Sequence, residues 1–206
     1  MFIRTKKIKG KEYAYKVVNV WRKRKKGSRQ KVGKYLGKVI DLEPKENMDF
    51  FEFINKEPNQ YLNNSQPVDI IKDLIELQLH NYGFERKRKT YLRDNYIFHM
   101  PTLKVKDVRD KNVVLRLNQG FLCERTVKDL LNFKTDFSTE REIATKLANQ
   151  ILETGLVIPD EVFVFLFQKV LAELKTGRKK EIFSLDKDPY AKFDTEETSY
   201  NVDDYR

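Results

Sequence analysis

Arg22-Lys23-Arg24-Lys25-Lys26 places five cations in a row, and Arg29, Gln30, Lys31 and Lys34 follow directly after a short Gly-Ser break. Guanidinium and ammonium groups at this density pair with phosphate oxygens and displace the counterions condensed on a polyanion. Arg, Gln and Lys can also hydrogen-bond the edges of bases. The phosphate role falls to Arg22, Lys23, Arg24, Lys25, Lys26 and Lys34, and base contact to Arg29, Gln30 and Lys31. The positive charge is local. Met1–Lys38 holds fifteen Lys or Arg against one acid, Glu12, whereas the whole chain is only +10, so the rest is slightly acidic.

A second cluster, Arg86-Lys87-Arg88-Lys89, precedes Tyr91, Arg93 and Tyr96. Aromatics among cations can stack on unpaired bases, which suits single strands or RNA. The competing and favoured reading is a charged turn that leads into a strand whose aromatics face the core.

Catalytic chemistry is harder to place. His80 and His99 are the only histidines, and neither has a second ligand at metal-binding spacing. Cys123 is the single cysteine, which excludes an internal disulfide and leaves a thiol nucleophile without a histidine partner. The eight glycines are scattered and form no Gly-Lys-Ser/Thr phosphate loop. Asp94, Asp107, Asp110, Glu124 and Asp129 could gather around magnesium as in a nuclease, but their spacing does not favour it. No catalytic residue, metal ligand or cofactor is assigned, and a non-enzymatic protein is expected.

The elements that position these residues read as α+β. Three strands, Phe2–Lys9, Tyr13–Lys23 and Arg29–Val39, are separated by turn signals at Lys9-Gly10-Lys11 and Lys25-Lys26-Gly27-Ser28. They predict an N-terminal three-stranded antiparallel sheet. Alternation puts Arg29 and Lys31 on one face of the third strand and Gln30 and Lys34 on the other, with apolar residues on both. A ribbon of this kind is narrow enough for the major groove of duplex DNA, about 12 Å wide. Residues 1–42 are taken as this basic module, and 43–66 as a connecting segment in which Phe50, Phe51 and Phe53 suggest a short helix docked on the sheet. Residues 67–180 form an α+β body. Pro67 opens a helix over Val68–Asn81 with Gly83 as terminator, and strands follow at Tyr96–Met100, Leu103–Val108 and Val113–Leu117. A short helix spans Thr126–Phe133. A C-terminal helical hairpin is expected next, its first helix capped by Thr139 and Glu142 and ended by Gly155, its second running from Pro159-Asp160-Glu161 to about Lys175. Residues 181–206 form an acidic, extended tail.

The N-terminal run also carries a resemblance. Phe2-Ile3-Arg4, Lys9-Gly10-Lys11-Glu12-Tyr13-Ala14-Tyr15, Ser28-Arg29-Gln30-Lys31-Val32 and Lys34-Tyr35-Leu36-Gly37 together resemble the opening module of certain insertion-sequence transposases and of uncharacterised archaeal proteins. The resemblance covers about the first 42 residues and implies DNA contact by the module. It brings no catalytic residues, and the three separated acids of such transposases have no assignable counterparts here.

A DNA-binding protein of the cytoplasm or nucleoid is therefore expected, with nucleic acid as its partner and DNA favoured over RNA. The helix over residues 160–175 is apolar almost all round, which predicts burial in the chain's own core or a homodimer contact. The acidic tail is a candidate for docking on a protein partner or back onto the basic sheet. Charges interrupt every long apolar stretch, so no membrane partner is expected. An RNA- or ribosome-associated factor, a nuclease or transposase remnant and a protein-interaction subunit are the alternatives.

Overall fold

The computed structural model describes residues 2–22, 27–134 and 139–175 of the 206-residue chain. Lys23–Lys26 of the basic run and the whole acidic tail lie outside the described residues.

The three expected N-terminal strands form. β1 (Phe2–Ile8) and β2 (Lys11–Arg22) are joined by a tight turn in which Lys9 and Gly10 both take left-handed backbone, φ 48° and 76°. β3 (Gly27–Asp41) returns antiparallel to β2. The sheet does not stop at three strands. Lys38–Asp41 of β3 pairs parallel with Val113–Arg116 of β8 (Val113–Leu117), and β9 (Gly120–Leu122) follows antiparallel, giving a mixed five-stranded sheet in the order β1-β2-β3-β8-β9. This corrects the expectation of an isolated antiparallel sheet. The cause is local: Val39 and Ile40 need a covered face, and β8 is buried at four of its five positions, so it needs neighbours on both sides. Gly37 permits the join, since a Cβ there would meet the Asn112 carbonyl oxygen at 2.7 Å and the Val113 Cα at 2.8 Å.

A second, antiparallel sheet runs β4 (Glu85–Lys87), β5 (Thr90–Arg93), β6 (Tyr96–His99) and β7 (Lys104–Asp107) in sequence order. Its last strand meets the first sheet through a bridge between Lys106 and Asn112. The polar reversal at Arg109–Asn112 is held by the Asp107 carboxylate, which accepts from the backbone N–H of Arg109 and of Lys111, both at 2.9 Å.

The 43–66 segment holds two short helices, α1 (Phe50–Ile54) and α2 (Pro58–Asn64). Its polar residues act as helix caps: Asp49 accepts from the Phe51 N–H at 2.8 Å and Glu57 from the Gln60 N–H at 2.7 Å. The Phe cluster docks on a helix rather than on the basic sheet. Phe50 packs edge-on to Tyr61, and Phe53 lies 5.5 Å from His80 on α3 (Pro67–Asn81). Ile70, Ile71, Leu74, Ile75, Leu77 and Leu79 of α3 are all buried. Burying such side chains contributes roughly 1.5–3 kcal/mol each.

After α4 (Glu124–Leu131), α5 (Glu140–Thr154) begins at the expected Thr139 N-cap. Thr139 Oγ1 accepts from the Glu142 N–H at 3.3 Å and donates to the Glu142 carboxylate at 2.7 Å. It ends at left-handed Gly155, φ 77°. In α6 (Asp160–Lys175) the buried stripe is Val162, Leu166 and Val170, at i, i+4 and i+8. Phe163, Phe165 and Phe167 are half-buried against the same core, and Val164 is exposed. The fold is α+β, and among the described residues no helix is long and apolar enough to cross a membrane.

Candidate nucleic-acid interface

β1 covers β2 only as far as the Phe2–Val17 pair, and β8 covers β3 only from Lys38 onward. Between these limits β2 and β3 continue as a two-stranded ribbon through five further pairs, from Val18–Lys31 to Arg22–Gly27. At the usual strand rise this is about 17 Å long. No other strand flanks it among the described residues. Every residue of β3 from Ser28 to Tyr35 is exposed. Large apolar side chains stand in water here too: Trp21 is 63% exposed, Val32 58% and Val20 42%.

Register sorts the side chains. The pairs Val17–Val32, Asn19–Gln30 and Trp21–Ser28 share one face, and Val18–Lys31 and Val20–Arg29 the other. Arg29 and Lys31 are thus brought together, and Gln30 is separated from them by the ribbon's own backbone. Arg4 of β1 lies on the Gln30 face, where its Nη1 donates to Gln30 Oε1 at 2.8 Å. Nearer the root, β3 is bulged. The two steps from Tyr15 to Val17 oppose three from Val32 to Tyr35, and the single step from Ala14 to Tyr15 opposes two from Tyr35 to Gly37. These irregularities turn Tyr35 onto the Gln30 face, where its ring lies 5.6 Å from Tyr15 and 6.2 Å from Tyr13. Below the ribbon both faces are covered: Ala14 and Val17 are each fully buried although they point opposite ways.

Arg116 of β8 clamps the root. It reaches Glu12 of β2 at 2.7 Å and Asp41 of β3 at 2.8 Å while its guanidinium lies 5.3 Å from the centre of the Phe121 ring. The Arg116 hydrogen bond holds the Glu12 carboxyl below the ordinary range, with Thr5 adding in the same sense. The one acid of the first 38 residues is therefore spent inside the sheet. No acid lies between Tyr13 and Ile40. Lys34, in the bulged stretch, lies within electrostatic reach of Glu124 on α4. Burial opposes ionisation of Glu124, yet Lys128, Lys104 and Lys34 together hold its carboxyl low.

The second cluster occupies a different setting. Arg86–Lys89 forms the exposed β4–β5 hairpin at the edge of the second sheet. Arg86 is tied to Glu76 of α3 at 3.0 Å and lies over the ring of Tyr91, which is itself buried in the core. Tyr91 faces inward, as the favoured reading of this stretch expected, and is not on the surface to stack on a base.

The five acids weighed as magnesium ligands have separate duties. Asp94 pairs with Arg93, Asp107 holds a turn, and Asp110 pairs with Lys106. Glu124 pairs with Lys128, and Asp129 with Arg125. Among the described residues no three His, Cys, Asp or Glu side chains gather in a metal-binding group. Cys123 is buried at the start of α4, where burial pushes its thiol pKa up. No protein-family profile, curated protein or solved structure matches the chain.

The feature that residue types alone did not reveal is Trp21. Alternation placed it on one face of the second strand without saying which face is covered, and it is uncovered because the pairing of β1 with β2 goes no further than Phe2–Val17.

Proposed function

We propose that this chain binds nucleic acid, with DNA favoured over RNA, by inserting the β2–β3 ribbon into a groove of the duplex. The observation that carries the reading is the ribbon itself: two strands, exposed on both faces, rich in cations and free of acids. Its two backbones at strand spacing fit the width of the major groove, about 12 Å. Arg22, Lys23, Arg24, Lys25, Lys26 and Lys34 are assigned to phosphates. Arg29 and Lys31, sharing one face, extend the phosphate grip and can reach adjacent base edges, while Gln30 addresses bases from the other face. The N-terminal resemblance to insertion-sequence transposases agrees with a DNA target. The role is binding rather than catalysis.

The test is titration of the full chain against labelled duplex DNA and structured RNA of matched length across a salt series. A steep salt slope with tighter duplex DNA binding is the expected outcome. Tighter RNA binding would move the target to RNA. Binding indifferent to salt would dismiss the ribbon as a nucleic-acid element.

A further inference from the structure

The two faces of the ribbon differ in chemistry, and the difference selects a substrate class. One face carries Arg29 and Lys31. The other carries Trp21, Asn19, Ser28 and Gln30, uncharged hydrogen-bonding groups around an indole that is 63% exposed, with the Arg4 guanidinium at their margin. Arg4 donates to the Gln30 carbonyl oxygen, which orders that amide before any ligand arrives. An exposed indole is poorly hydrated and offers a wide π-face, and stacking on a base is worth about 1–3 kcal/mol per base. A base inside an intact duplex already has stacking partners, and freeing it costs a few kcal/mol. The indole therefore gains most where a base is already unstacked.

We propose that the Trp21 face lies against an unpaired or unstacked base in duplex DNA, while Arg29 and Lys31 on the opposite face hold the flanking phosphates. The preferred ligand is then a DNA duplex interrupted by a bulge or mismatch rather than a perfect one. This rests on the ribbon being the nucleic-acid element and adds what it reads. Asn19 and Gln30, paired across the two strands beside Trp21, supply the hydrogen bonds to the displaced base edge.

Trp21 is the only tryptophan of the chain, so intrinsic fluorescence reports on this position alone. The full chain is titrated with a labelled perfect duplex and with the same duplex carrying a two-nucleotide bulge, following both the label's anisotropy and the Trp21 emission. The expected result is tighter binding of the bulged duplex with strong quenching of Trp21. Trp21→Ala should weaken bulge binding roughly tenfold and perfect-duplex binding much less, so that the preference for the bulge is lost with the salt slope kept, and Trp21→Phe should restore most of the loss. If the label reports binding while Trp21 emission stays constant and Trp21→Ala still discriminates, the base-stacking role is wrong and the ribbon reading stands. If neither duplex changes the anisotropy, both fall. An emission shift that follows protein concentration without DNA would assign the face to a second copy of the chain and overturn the proposal.

Discussion

The two basic clusters of this chain have similar composition and opposite surroundings. Around Arg86 the fold supplies a carboxylate, Glu76 at 3.0 Å, and an aromatic ring, Tyr91, so that cation serves to fasten the β4–β5 hairpin to α3. Around Arg29 and Lys31 the described residues supply neither: the strands on either side stop short, and Glu12, the acid of the module, is held by Arg116. Under the proposed reading, a run of cations serves as a ligand-binding surface where the described fold leaves it without counter-charges. Sequence density alone does not separate the two cases.

The contrast can be broken first at the ribbon. Arg29→Glu with Lys31→Glu should weaken duplex binding by on the order of a hundredfold at low salt and reduce the magnitude of the salt slope by about two. Fluorescence anisotropy across a salt series measures both, and an unaltered slope would remove phosphates from the role given to this face. Next in size is the clamp. Arg116→Ala removes the cation shared by Glu12 and Asp41 and should cost about 1–2 kcal/mol in urea unfolding, its charged groups being partly open to solvent.

The same clamp carries a pH signature. The folded-state pKa of Glu12 is depressed, so the folded chain binds fewer protons there than the unfolded one. The stability this provides is present above the ordinary carboxylate range and is lost as the pH falls through the folded value. Glu12→Gln should therefore be less stable than wild type at neutral pH, and the two should converge on acidification. A gap that does not narrow at all as the pH falls below the ordinary carboxylate range would mean that packing rather than charge accounts for it. The smallest effect belongs to the second cluster. Arg86→Gln should lower stability by up to about 1 kcal/mol through the loss of the Glu76 pair, and change DNA affinity less than twofold. A large loss of affinity there would erase the distinction between the clusters.

Much of this arrangement could be read before folding was considered. The three N-terminal strands, the Thr139–Glu142 cap, the stop at Gly155 and the helix opened by Pro159 all follow from residues within a few positions of one another. What escaped depends on partners distant in the chain. Val39 and Ile40 gave no sign that β8 lay beside them, and nothing in the strand expected over Arg29–Val39 marked Gly37 as a point of close approach. The bulges of β3 break its alternation, so the face occupied by Tyr35 could not be counted from Arg29. The short helix at Phe50–Phe53 was legible, but α2 from Pro58 was not, because the apolar residues that stabilise it are few and it buries Tyr61 against Phe50 of α1. The exposure of Trp21 follows from the pairing of β1 with β2 going no further than Phe2–Val17, a property of the neighbouring strand rather than of its own.

The parallel pairing of β3 with β8 also bears on how the molecule is made. Residues 38–41 meet partners at 113–116, so the root of the ribbon cannot close until most of the described chain is available. Contacts this distant in sequence are slow to form, because the intervening loop must lose its freedom first. During synthesis the basic hairpin emerges early with one edge of β3 unpaired, and it waits through both short helices, α3 and the whole second sheet for β8 to arrive. A nascent chain of this protein accordingly presents its most cationic strands before it has the strand and the arginine that anchor them.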